Sequence, residues 1–223
     1  MIDRSSITSG GTPKVTIDSP ASVRGIQFYA DLMLKERINP TYDELAAGRV
    51  DIEQWFARDK LAMYPNSRIA VQYFNGFEDL DYDVAPMPKG PATHAALVDP
   101  AAIAIVATTR HRDAAWRFLK WMVGPDASRW LSQEDCIVPA LLSVARSPAF
   151  LDPQVRPRRD IVFVEMMQYG RTVPLIPQWN EVAGIIGQSM LPVLRGQISA
   201  EQAARTMATR IKQTLARPVR WQK

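Results

Sequence analysis

Between Lys60 and Val123 the chain changes character several times in quick succession, and the order of those blocks restricts its fold more than any other feature. Lys60 to Tyr64 reads as a short strand closed by Pro65, and Tyr82 to Ala85 as a second strand. Pro86, Pro88 and Pro91 follow, then the apolar run Ala101 to Ala107, then apolar residues at helical spacing from Arg112 to Val123. A run without alternation suits a strand buried on both faces among parallel neighbours. Proline fixes its own φ and pushes the preceding residue into extended backbone, so the 86–91 stretch is predicted to carry the chain from one α/β layer into another. A ligand cleft belongs between two such layers, outside the ends of their strands.

The flanking segments are predominantly helical. Lys14 to Ile17 is predicted to be a short strand or extended entry with Val15 and Ile17 on one face. Ser19-Pro20 offers an N-cap with proline in the first turn, ahead of Val23, Ile26, Ala30, Met33 and Leu34 at helical spacing. Further helices are predicted over 51–58, over 69–74, from Pro125 through Leu131, and over 161–169. The last two run over 180–194, with Pro192 expected to kink or end the first, and 200–215, opened by the capping pattern Ser199-x-x-Gln202. Gly196 separates them.

Composition narrows the function classes. The 223 residues carry 27 basic and 23 acidic side chains, and much of the excess sits in Arg156, Arg158, Arg159 and the tail from Arg217. Scattered cations of that kind read as a solvated face, so no nucleic-acid partner is expected. Cys136 is the single cysteine, which excludes an internal disulfide and any CxxC motif; it is expected to be a small buried residue. No stretch has the apolar length of a membrane span, and Met1 to Gly11 has no apolar signal-peptide core. The two histidines, His94 and His111, sit in no metal-ligand motif, and no nucleophile elbow, P-loop or dinucleotide fingerprint occurs. The expectation is therefore a non-enzyme without cofactor or metal, with a glycoside-processing enzyme and a basic interaction protein as the alternatives, since two distant carboxylates suffice for glycoside hydrolysis.

Six blocks carry a resemblance: Val15 to Pro20 before a helix, Leu61 to Met63 after one, Val84 to Pro88 at the crossing, Asp113 to Leu119, Val138 to Ala140, and Ile176 to Glu181. In this order and spacing they resemble the later portion of the carbohydrate-type extracellular solute-binding proteins of ABC importers, the maltose-binding-protein-like family 1. The resemblance implies an α/β, type II periplasmic-binding-protein-like fold of two lobes, with most of the first lobe absent from this chain. Residues 1–96 would form a second-lobe segment and the crossing, 97–148 part of the first lobe, and 149–223 the return to the second. It implies a carbohydrate or polyol ligand trapped by hinge closure, ABC permease subunits as partners, and a periplasmic or cell-surface location for a full-length protein whose signal and first lobe lie upstream. Self-association through the incomplete lobe is expected of this chain.

The resemblance also supplies the candidate ligand residues. After the Leu-Ala-Met segment it points to Tyr64, Asn66, Ser67 and Arg68, for which a solvated turn after Pro65 is the competing reading. Where the family often has a glycine-rich turn, this chain has Leu97-Val98-Asp99-Pro100, leaving Asp99 as either a bidentate acceptor for hydroxyls or a turn former. Trp179 lies in a segment that borders the cleft in relatives, and an indole face can cover the C–H side of a sugar ring; packing in the hinge is the alternative. Asn180 is either a ligand amide or a helix cap, and Arg171, near Tyr169, either reaches a polar or anionic ligand or is solvated.

Overall fold

The structure is a computed structural model and describes residues 2–3, 14–134 and 137–218. The expectations for Cys136, for Trp221 and for the polar leader over 4–13 lie outside the described residues. In chain order the elements are β1 (Ile2–Asp3), β2 (Lys14–Val15), α1 (Pro20–Leu34), α2 (Tyr42–Ala46), α3 (Ile52–Ala57) and α4 (Ile69–Phe74). There follow β3 (Ala96–Leu97), α5 (Arg112–Met122), α6 (Pro125–Gln133), α7 (Leu142–Ala145) and α8 (Ile161–Met166), which runs into the 3-10 turn Met167–Tyr169. The last elements are β4 (Gly170–Arg171), α9 (Trp179–Leu194) and α10 (Ala200–Leu215). Two compact units result, one from residues 1–51 with 173–223 and one from 52–172. These boundaries fall elsewhere than at 96/97 and 148/149.

The first unit is a helical packing problem solved with small residues. α10 turns Ala200, Ala203, Ala204, Met207, Ala208 and Ile211 inward, a three-and-four spacing on one face, and all are at most 2% exposed. Alanines let α1 and α9 come close, and Met207 and Ile211 fill the space between them with Ala30, Met33, Val182, Ile185 and Val193. Burying each of those larger side chains is worth about 1.5–3 kcal/mol. The caps are the ones the sequence offers: Ser19 Oγ accepts from Ser22 N at 3.3 Å, and Ser199 Oγ from Gln202 N at 3.1 Å. β1 and β2 pair antiparallel, Ile2 with Val15 and Asp3 with Lys14.

α9 departs from expectation, because it runs through Pro192 to Leu194 without stopping. Val193 and Leu194, 2% and 8% exposed, anchor the turn that proline would otherwise loosen. The helix ends at Gly196, whose φ of 69° is the left-handed conformation that glycine adopts without penalty.

The second unit is built around aromatic rings. Phe74, Leu80 and Tyr82 form its buried cluster, with Phe56, Tyr64 and Phe77 packed against it. Phe56 and Phe74 lie with ring centroids 4.9 Å apart, and Phe74 meets Tyr82 edge-on at 5.8 Å. Tyr82 Oη donates to Asn75 Oδ1 at 2.8 Å, and Asn75 Nδ2 donates to Arg156 O at 2.9 Å. Arg156 in turn donates to the carbonyls of Leu80 and Phe77, fixing the acidic loop over 76–81.

The strands expected at 60–64, 82–85 and 101–107 are not formed; those segments carry no regular hydrogen-bonded structure. At 64 and 82 the side chains pack on the Phe74 cluster while the backbone makes no ladder. The strand pairing that does form in this unit is parallel and short, Ala96 with Gly170 and Leu97 with Arg171.

Candidate functional site

The parallel pair β3·β4 brings two sequence-distant candidates side by side. Val98 N donates to Arg171 O at 2.9 Å, which extends the pairing by one residue. Exposure alternates along this stretch, with Ala96 and Val98 half-buried and Leu97 and Asp99 exposed, so Leu97 and Asp99 share one side of the extended chain. Leu97 is the partner of Arg171, which places the Asp99 carboxylate and the Arg171 guanidinium at one solvent-facing edge. Arg171 Nη1 donates to Gly170 O at 2.9 Å.

Gly170 is needed for this approach. A Cβ at that position would lie 2.5 Å from Val98 Cγ2 and 2.9 Å from Met167 O. Next to it, Tyr169 is half-buried with its ring centroid 4.9 Å from that of His94, and His94 Nδ1 sits 2.7 Å from Met87 O. Two segments that run parallel thus carry an aromatic ring, an imidazole, a carboxylate and a guanidinium within a few residues of their pairing. Such a set can cover the C–H face of a ring with an aromatic surface while charged groups take its hydroxyls. Sequence reasoning gave His94 no role, because its partner Tyr169 is far away in the chain and no local pattern connects them.

Tyr64, Asn66, Ser67 and Arg68 form a separate stretch of the same unit. Tyr64 Oη donates to Glu53 Oε1 at 2.9 Å and its ring packs on the Phe74 cluster. Asn66 and Ser67 are exposed, with Asn66 Oδ1 accepting from Ser67 N at 2.7 Å. Arg68 is 3% exposed. Its Nη2 and Nε donate to Asp160 Oδ2 and Oδ1 at 2.9 and 3.4 Å, its Nη1 lies 3.4 Å from Ile137 O, and its guanidinium sits 4.6 Å over the Phe150 ring. This side chain is committed to an internal ion pair.

Trp179 and Asn180 belong to the other unit. Trp179 opens α9, its N–H donating to Ile176 O at 3.0 Å, and its half-buried ring packs on the helical core. Asn180 is exposed in the first turn of that helix, and Glu181, one residue on, accepts from Thr214 Oγ1 at 3.0 Å and Arg217 Nη1 at 2.9 Å. Among the described residues no group of three or more His, Cys, Asp or Glu side chains is placed to hold a metal ion. No helix among them is long and apolar enough to cross a membrane.

The profile of the bacterial extracellular solute-binding proteins matches residues 5–129, more than half of the chain. The chain belongs to that family. It is a family of extracellular, non-catalytic binding proteins, which puts its members in the periplasm or at the cell surface. Among solved structures, the substrate-binding protein Lmo0181 of Listeria monocytogenes, in complex with cycloalternan, superposes with a TM-score of 0.71 at 18% identity, covering 91% of this chain and 51% of that one. Maltose-bound MalE3 of T. maritima gives 0.69 at 21% identity, with 89% and 51% covered. UgpB of Mycobacterium tuberculosis, in complex with glycerophosphocholine, gives 0.69 at 18% identity, with 89% and 48% covered. A binding protein of Brucella abortus is 21% identical over 183 residues, which are 81% of this chain and 43% of that protein. The fold is therefore the type II periplasmic-binding-protein-like fold, and the chain spans about half the length of the two-lobed relatives it matches.

Proposed function

We propose that this solute-binding protein holds a sugar or related polyol for an ABC importer, closing on it by a hinge motion and presenting it to the permease subunits. The observation that carries this reading is the edge where β3 and β4 run side by side, with Asp99 and Arg171 exposed together next to the Tyr169 ring. Carboxylate and guanidinium are complementary to vicinal hydroxyls, as acceptor and donor respectively, and an adjacent ring supplies the apolar face. In this reading residues 97–148 contribute to one lobe, and 1–96 with 149–223 to the other. Asn66 and Ser67, exposed beyond the Phe74 cluster, add polar groups, and in the other unit Trp179 and Asn180 at the start of α9 are the candidate ligand residues. Arg68 acts from behind, holding the stretch that carries Asn66 and Ser67 against α8 through Asp160. The isolated chain also associates with itself.

Ligands found with structural neighbours define the test panel: maltose, cycloalternan and glycerophosphocholine. Backbone amide shifts of the labelled chain, titrated with each, should move at Leu97 to Asp99 and Tyr169 to Arg171 with a sugar. Asp99→Ala and Arg171→Ala should each weaken that response by about tenfold, the loss of one charge-assisted hydrogen bond. Movement with glycerophosphocholine alone would shift the ligand class to phosphodiesters. Shifts confined to other residues would refute the site.

A further inference from the structure

Pro86, Pro88 and Pro91 deny their stretch three of the N–H groups that a strand ladder would use, so its backbone has to be fixed by other means. Two hydrogen bonds do this. Gly90 N donates to Thr93 O at 3.1 Å across the tip, and His94 Nδ1 lies 2.7 Å from Met87 O across the neck. A carbonyl oxygen only accepts, which puts the ring proton of His94 on Nδ1. The same imidazole packs on Tyr169, with ring centroids 4.9 Å apart and planes inclined at 46°. Tyr169 closes the 3-10 turn that leads into β4, and the next residue, Gly170, is the one that pairs with Ala96, two positions beyond His94. Both side chains are half-buried. Among the described residues neither a second ring nor a hydrogen bond to its hydroxyl holds Tyr169.

We infer that His94 is a positioning residue of the ligand site: fixed through Nδ1 to the proline loop over 87–94, its ring sets the tilt of the Tyr169 ring that covers the sugar. The inference rests on the ligand reading above and names a residue through which that site works. The hydrogen bond to Met87 O removes the freedom of the imidazole to turn, and the ring contact passes that restraint to Tyr169. A ring held before the ligand arrives loses little rotamer freedom when the ligand binds, and the affinity rises accordingly. The restraint also ties Tyr169 to the proline-rich stretch. A change in the tilt of the ring on binding is therefore felt at Met87, and a loosened loop is felt at the site.

The test is a double-mutant cycle on maltose binding by the full chain, read by calorimetry. His94→Asn keeps an N–H donor near the place of Nδ1 and removes the ring; it should raise the maltose dissociation constant about fivefold, the scale of one aromatic contact. Tyr169→Ala should raise it at least as much, and the double variant should be no weaker than Tyr169→Ala alone, because His94 acts through that ring. Two readouts need no sugar. Nitrogen-15 spectra at pH 8, above the range in which imidazole ordinarily changes charge, should show the His94 proton on Nδ1, with His111, the other histidine of the chain, as reference. The Tyr169 ring resonances should move in His94→Asn while exchange of the Gly90 amide stays as it was, and His94→Phe, which keeps a ring and loses the donor, should speed that exchange. Unchanged maltose affinity in His94→Asn, additive losses in the cycle, a proton absent from Nδ1, an unmoved Tyr169 ring, or a Gly90 amide indifferent to His94→Phe each overturns the proposal. A wild-type chain that ignores every sugar overturns the ligand reading and this role with it, whereas wild-type binding with a failed cycle overturns this role alone.

Discussion

Replacing Arg68 by methionine separates a side chain that holds the fold from one that touches ligand. The guanidinium is 3% exposed and the Asp160 side chain 9%, with a 2.9 Å contact between them backed by a second at 3.4 Å. Methionine fills much of the volume but takes the guanidinium away from the Asp160 carboxylate, whose side chain is 9% exposed, and removes the Nη1 contact to Ile137 O. Removing one partner of a buried pair costs about 3–5 kcal/mol, because the survivor keeps its desolvation penalty and loses its compensation. The lost stacking on Phe150 adds about 0.5–2 kcal/mol. With a urea slope of about 1–3 kcal/mol/M, a loss near 4 kcal/mol moves the midpoint down by about 1.5–4 M. Urea unfolding read by hydrogen exchange at α4 and α8, the helices flanking the pair, is the assay. The double variant Arg68→Met with Asp160→Leu should recover most of the loss, since replacing both charges by apolar groups is close to neutral. A single variant that loses under 1 kcal/mol, with sugar affinity reduced, would refute the structural role and return Arg68 to the ligand.

Gly170→Ala should cost about 1–3 kcal/mol, because its Cβ would lie 2.5 Å from Val98 Cγ2, and Val98→Ala should relieve part of that in a double-mutant cycle by urea melts. Ser199→Ala should cost about 1 kcal/mol through the lost cap of α10, read as earlier thermal unfolding of the helical unit. Hydrogen bonds from the Thr41 hydroxyl and backbone N–H hold the Glu44 carboxyl below its ordinary value. Its contribution to α2 is therefore full above the unfolded carboxylate pKa and lost as pH falls through the lower folded value. Thr41 amide shifts should titrate in that acid range, and Glu44→Gln should abolish the step.

Elements with local signatures were legible. Ser19-Pro20 and Ser199 announce α1 and α10, and the apolar spacing in 112–122 announces α5, because caps and periodicity act within a few residues. Thr41-x-x-Glu44 is an equally local capping box, yet no helix was predicted there. Features that depend on distant partners were not legible. Arg68 looks like a solvated turn residue until Asp160, 92 positions away, is brought to it. β3 and β4 are two residues each, too short for any alternation, and exist because of one another. The run at 101–106 reads as buried from its composition, yet burial needs neighbours, and within this chain the described residues leave Ile103 and Val106 open. For the site, Asp99, Arg171 and Tyr169 were each visible as residue types, while their juxtaposition required the parallel pair.

Chemical-shift mapping of the labelled chain with maltose and cycloalternan tests the central reading most directly. Binding at the parallel pair of the two segments predicts coupled, saturable movement of Val98, Asp99, Tyr169 and Arg171 amides, weakened in Asp99→Ala. Saturable binding with those four amides unmoved, or no response to any member of the sugar panel at tens of millimolar, would contradict it.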